Sequence, residues 1–326
     1  MAIKNNMRVS GRKTPSKENI RRTNRKKQER LRKQAKRAPS QAKKKVVCLM
    51  AAHERVGITV QTIRYLIEQS YPIREFVIVG DSYTEEDICE LSSKFLGDNQ
   101  KIHYVQAKNR PLGKKWQTGL NVVSTLDGVD NVLICGSDNW LGKNWLRDLM
   151  PYTDKYDVVG RNRFFVCDLL PKDYSIDRVL GRQYRKERGQ TPIGSGRIYS
   201  KRFLDIAGWN LYPLSKNRGL DGACQRIIEK HKVPIMIDNK IGDSVVLAIK
   251  GPWEVISGFD KFTRKSKHEK FDVGNASRWL SSKFAEAHAR LAEACRIDRE
   301  RSAPICHNLQ NTKIKKTFTR NSVEKE

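Results

Sequence analysis

The sequence predicts an α/β fold, a mostly parallel sheet flanked on both faces by helices. Three observations carry this. Apolar runs of strand length recur roughly every 20 to 30 residues from position 45 onward. Between them lie stretches whose apolar residues repeat at helical spacing. The two kinds alternate, as parallel strands joined by helical crossovers require.

Residues 45–52, KVVCLMAA, are short, apolar and preceded by charge, so they form a buried strand. Val56, Val60, Ile63 and Ile67 then define a helix over 56–69. EFVIVG at 75–80 is the second strand, 85–95 a helix, 101–107 the third strand, 113–124 a helix, and NVLICG at 131–136 the fourth strand. Beyond Leu141 the pattern loosens. Trp145, Leu146 and Leu149 give a short helix, 157–166 reads as β, and 175–188 reads as a basic amphipathic helix. A helix over 221–231, strands over 233–238 and 244–250, and a last helix over 276–295 complete the pattern.

Charge divides the chain into an arm at 1–44, a domain at 45–298 and a polar, basic tail at 299–326. The formal net charge is +28, from 64 Lys+Arg against 36 Asp+Glu. Residues 1–45 hold 18 basic and 2 acidic residues, and four large apolar residues lie between Asn5 and Gln41. Such a segment cannot bury enough surface to offset its ordering entropy, so a disordered arm is expected. Its charge density suits contact with nucleic acid; a solubility tail is the bland alternative. The 7 cysteines are scattered singly with no CxxC pair, which suits reduced thiols in a cytoplasmic protein. No signal-peptide pattern and no apolar run of transmembrane length occurs, so no membrane insertion is expected.

Ligands of open parallel sheets bind beyond the C-terminal strand ends. Here those ends are polar: His53-Glu54-Arg55 after the first strand, Asp81-Ser82 after the second, Ser137-Asp138-Asn139 after the fourth. Asp81 and Asp138 thus converge on one edge. Either could alone be a helix or turn cap; the two at equivalent strand ends point to a site.

The order VCLMAAHER, FVIVGDSYTEED, VLICGSDNW, IAGWN and GLDGACQRII resembles the family 2 glycosyltransferases of GT-A fold over roughly residues 45–235. The resemblance implies an inverting transfer from a nucleotide sugar, most often UDP-linked, to an acceptor hydroxyl. It implies that His53, Glu54 and Arg55 meet base and ribose, that Asp81 bonds the base, and that Asn139, beside Asp138, contacts the nucleotide sugar. Asp138 matches the last acid of an Asp-x-Asp-like motif and would hold Mn²⁺ or Mg²⁺, with Asp243 as a second ligand. Lys114 and Lys115, in the GKKW turn, could face phosphate, or simply be surface lysines. Asp221 matches the catalytic base; the alternative is a helix N-terminal acid favoured by the macrodipole. The chain departs from the pattern at three places: Ala51 for the first-loop proline, Gly136 for the first acid of the metal motif, and Leu220 for the acid before the base.

Family resemblance says little about the acceptor. Basic residues crowd the second half, Arg182, Arg185 and Arg197 among them, with aromatics such as Trp209 interleaved. These could contact nucleic acid, although core packing of Trp209 is as good an account. The expectation is a DNA acceptor, with sugar added to a hydroxymethylated pyrimidine as in bacteriophage DNA modification. The alternatives are a protein or surface-glycan acceptor, and a non-catalytic nucleic-acid-binding protein on a decayed transferase scaffold.

Overall fold

The computed structural model describes residues 43–81, 85–184, 192–239, 244–250, 259 and 268–301. The N-terminal arm and the polar tail beyond 301 lie outside these residues, as do Asp243 and Arg185. All that follows concerns the unit that begins at Lys44.

The first half alternates as the sequence predicts. Strand β1 (Val46–Ala51) leads to α1 (Val56–Ile67), β2 (Glu75–Gly80), α2 (Glu85–Ser93), β3 (Lys101–Gln106), α3 (Leu112–Ser124) and β4 (Asn131–Gly136). β1 lies between β2 and β4 and runs parallel to both, and β3 adds parallel to β2. Val46 to Leu49 are wholly buried. A strand covered on both faces needs that continuous apolar run, and each such side chain contributes about 1.5–3 kcal/mol. The remaining strands of this seven-stranded sheet are β6 (Val158–Gly160), β9 (Arg197–Ser200) and β10 (Ile235–Ile237), in the order β10-β6-β9-β4-β1-β2-β3. β9 runs antiparallel to β4 and β6, so the sheet is mostly parallel rather than wholly so.

A second sheet has the order β12-β8-β7-β11-β5, built from β5 (Asn139–Leu141), β7 (Arg163–Leu169), β8 (Ile176–Tyr184), β11 (Val246–Lys250) and β12 (His268–Asp272). β5 follows β4 after two residues, Ser137 and Asp138, which therefore form the crossing from one sheet to the other. α1 lies between the sheets. Its Val56, Val60, Ile63 and Leu66 pack with β1 and β2, while Ile58 and Tyr65 pack with Trp140 and Phe284.

Helices α4 (Trp145–Leu149), α5 (Lys201–Ile206), α6 (Leu220–His231) and α7 (Ala276–Lys283) complete the named set. A further helix, α8, covers 287–301.

Three expectations are corrected. Within the expected helix at 175–188, residues 176–184 form β8, paired with β7 from Arg163↔Gln183 to Asp168↔Arg178, with a register shift before Leu169↔Ile176; 185–188 lie outside the described residues. Ile176 and Val179 mimic a helical repeat, but the hairpin with β7 supplies the backbone partners and overrides it. The 157–166 run divides between β6 and β7, which belong to different sheets. The last helix breaks near Glu286, which takes a left-handed φ of 57°, and continues as α8.

Candidate functional site

The parallel order brings the C-terminal ends of β1, β2 and β4 side by side, and four of the sequence-derived candidates, His53, Arg55, Asp81 and Asp138, meet there. His53 Nδ1 lies 2.7 Å from Asp81 Oδ2. Glu54 and Arg55 both adopt left-handed φ, at 51° and 45°. Non-glycine residues pay roughly 1 kcal/mol or more for this conformation, and here the turn carries the Arg55 guanidinium to within 3.7 Å of Asp138. Asp81 is partly exposed, and its backbone carbonyl accepts a hydrogen bond from Tyr104 Oη at 2.6 Å.

Of the two GKKW lysines, Lys114 is exposed on α3 and Lys115 is buried. Lys115 donates to the carbonyl of Ala52 and, at 3.3 Å, to Asn109 Oδ1. It ties the first-strand loop to α3, so the inward lysine is the second of the pair. Burial pushes its pKa down to about 8, with Asp81 pulling the other way. Between about pH 8 and the ordinary lysine value the unfolded chain binds the extra proton. Stability from this group therefore rises with pH across that window. The unfolding free energy of the native protein relative to Lys115→Met should increase between pH 8 and 10 in urea titrations. A constant difference would refute the buried-ammonium assignment.

Asp138 stands at the sheet crossing and is buried. Its backbone carbonyl accepts from Ile249 N–H at 2.8 Å, and the carbonyl of Ser137 accepts from Thr62 Oγ1 at 2.8 Å. One carboxylate oxygen takes a hydrogen bond from Lys250 Nζ, and the other takes one from Asn139 Nδ2. Burial by itself raises the Asp138 pKa; Lys250 and then Arg55 outweigh it and hold the carboxyl below the ordinary range. Gly136, where the metal motif would place its first acid, leaves room that Asn139 uses. A Cβ at Gly136 would come 2.3 Å from Asn139 Nδ2.

These residues do not fit a divalent ion. Hard cations need several oxygen ligands around one point. Among the described residues no group of three His, Cys, Asp or Glu side chains could hold a metal. The carboxylate offered is already bonded to an ammonium and an amide. The second expected ligand, Asp243, is outside the described residues.

A cavity of about 700 Å³ leads from Gly136 to the start of α6, with Trp116, Gly194, Arg197, Tyr212 and Asp221 in its wall. That is the size range of small-ligand sites. Asp221 is exposed in the first turn of α6. It rests on Gly194, where an added Cβ would come 2.2 Å from Asp221 Oδ1. The glycine is what lets the carboxylate approach the β9 side of the cavity. Trp116 and Tyr212 lie 5.7 Å apart, ring to ring, on one wall.

The nucleic-acid contacts expected from sequence are differently placed. Arg197 is buried; it donates to Tyr199 Oη at 2.9 Å and to the carbonyls of Ile193 and Pro192. Burial works against its charge, but Tyr199 and Asp221 more than compensate. It is a cation in the cavity wall near Asp221, not a surface contact. Arg182 is fully buried in β8, opposite Phe164 and Lys270. Trp209 has a left-handed φ of 57°, and its indole donates to Asp205 at 3.0 Å; Trp116 and Tyr212 take the aromatic place in the cavity wall instead. Sequence reading missed Lys250, Gly194 and Trp116, and took Tyr212 as an aromatic for base stacking rather than as a wall of this cavity. The lone charge ending the VVLAIK run was the available signal for Lys250.

No protein-family model and no curated protein sequence matches the chain. Solved structures do resemble it. TarS from S. aureus superposes at TM-score 0.46 with 17% identity, covering 63% of this chain and 36% of TarS, so the chain spans about a third of that protein. A shorter TarS fragment in complex with UDP-GlcNAc gives TM-score 0.46 and 17% identity, over 64% of this chain and 60% of the fragment. The mannosyltransferase PcManGT from Pyrobaculum calidifontis, in complex with GDP-Man and Mn²⁺, gives TM-score 0.46 and 12% identity over 87% of this chain and 85% of the other. Among the described residues no helix is long and apolar enough to cross a membrane.

Proposed function

We propose that the protein is a glycosyltransferase that moves a sugar from a nucleotide sugar to an acceptor hydroxyl. One observation carries the reading: the strand ends gather His53, Asp81, Arg55 and Asp138, and Gly136, at the end of β4 two residues before Asp138, lines a cavity whose wall also holds Asp221. A nucleotide gripped at the cluster would extend its diphosphate past Asp138 and its sugar into the cavity. The acceptor oxygen attacks the anomeric carbon as Asp221 takes its proton. The bond from that carbon to the diphosphate oxygen breaks, and the diphosphate leaves with the electron pair. A single displacement of this kind inverts the anomeric centre. The divalent ion that the family resemblance implies finds no fitting donor set among the described residues, and no step is assigned to it.

DNA is the acceptor that the charge favours. With Arg182 and Arg197 buried, that reading rests on the basic residues of the arm, 18 against 2 acidic over positions 1–45. The test is mass spectrometry of DNA containing hydroxymethylated pyrimidines after incubation with a panel of nucleotide sugars. A hexose-sized mass gain on the modified base is expected. Hydrolysis of the donor without transfer to DNA would exclude that acceptor and leave the transferase site standing. A variant lacking residues 1–44 should lose DNA affinity steeply and show a shallower dependence of log Kd on log salt. An unchanged slope would remove the arm from acceptor binding.

A further inference from the structure

We infer that Lys250 supplies the cation that a divalent metal supplies in related sites, so that the nucleotide diphosphate binds without metal. The inference rests on the transferase reading above and specifies its electrostatics.

A departing diphosphate needs fixed positive charge close to the bond that breaks. In a site with two acids that charge is an ion held between carboxylates. Here the first acid is replaced by Gly136, and the space above it is filled by the Asn139 amide, which bonds Asp138. The other oxygen of Asp138 holds the Lys250 ammonium. Arg55 stands 3.7 Å from that same oxygen. One carboxylate is thus faced by two cations, placed where a metal complex would be positive. A dication brought to Asp138 would meet two like charges and a filled coordination position.

The placement of Lys250 is built into the fold. It is the last residue of β11, whose antiparallel pairing with β5 sets Ala248 opposite Asn139. The Ile249 N–H bonds the Asp138 carbonyl. Backbone and side chain of β11 therefore grip the same residue, and the ammonium is fixed beside the end of β4 before any ligand arrives. Such a preset cation costs no reorganisation when charge develops on the leaving group. Its side chain is 7% exposed, so it acts in a poorly solvated setting where a charge is strongly felt.

The test is calorimetric titration of UDP, and of GDP in parallel, into the full-length protein dialysed against EDTA, and again with added Mn²⁺. Binding in EDTA, with Mn²⁺ changing affinity less than threefold, is the expected result. Paramagnetic resonance should find no tightly bound Mn²⁺ in the presence of UDP. Lys250→Met should weaken nucleoside diphosphate binding at least tenfold while leaving uridine or guanosine binding unchanged, and Lys250→Arg should retain most of it. Binding that appears only with Mn²⁺ overturns the inference and spares the transferase reading. Binding of neither nucleotide in either buffer overturns both. The titrations of the unaltered protein decide the matter even where the methionine variant fails to fold.

Discussion

Replacing Asp221 by Asn should lower the rate of sugar transfer by roughly 10²- to 10⁴-fold, the range that a positioned general base contributes. The same change should barely affect folding. Asp221 is exposed in the first turn of α6, and its helix-dipole contribution there is about 0.3–1 kcal/mol. The two magnitudes separate the roles: a capping acid would show the small stability loss and no catalytic one. Nucleotide binding should also be spared, because the strand-end cluster is built from β1, β2 and β4, not from α6, which carries Asp221. Steady-state kinetics with the donor saturating, together with thermal unfolding of both proteins, measure this. Transfer within tenfold of the native rate at an unchanged melting temperature would remove Asp221 from the chemistry.

Arg197 complicates a simple reading of that variant. It is buried in the cavity wall near Asp221, and its protein partners are carbonyls and the Tyr199 hydroxyl. Neutralising Asp221 removes a carboxylate whose field supports that cation. Arg197 is a fixed local charge, and an acceptor or sugar hydroxyl in the cavity would feel it. Its guanidinium is buried and bonded to protein acceptors, so it is not a surface contact.

The first half of the fold was legible because its signals are local. Runs such as VVCLM and FVIVG carry their burial in their own composition, and parallel strands with helical crossovers constrain the rest. The edge holding Asp81 and Asp138 follows from that topology without side-chain detail. The second half was less legible because its strands depend on distant partners. β8 takes its register from β7 and β12, and nothing within 176–184 distinguishes an amphipathic strand from an amphipathic helix. Arg182 and Arg197 misled for a related reason. Charge in a sequence reads as surface, whereas Arg197 is buried among carbonyls that satisfy it. Gly136 was visible as a departure, but what it implied was not. Only the pairing of β11 with β5, more than 100 residues apart in sequence, shows that an amide and an ammonium occupy the acid's surroundings.

That pairing leads to the second large effect. Asp138→Asn should destabilise the fold by about 3–5 kcal/mol, the loss seen when one member of a buried ion pair is removed. The penalty comes from the partners: the Lys250 ammonium and the Arg55 guanidinium keep their charges and lose the carboxylate between them. Lys250→Met should cost less, because Asp138 then retains Arg55 and the Asn139 amide. The effect has a defined pH dependence. The folded Asp138 pKa is depressed below the unfolded value, so its contribution is complete above the ordinary carboxylate range. It is lost as pH falls through the folded value. The gap between the native protein and Asp138→Asn should therefore be full at pH 7 and close progressively in strong acid. Urea unfolding of both proteins at neutral pH and at pH 3 or below measures it. A gap under about 1 kcal/mol at pH 7 would mean that water reaches the pair and screens it, as at exposed salt bridges. Such screening would also weaken Lys250 as a preset cation for diphosphate, so this stability measurement bears on the chemistry without requiring a substrate.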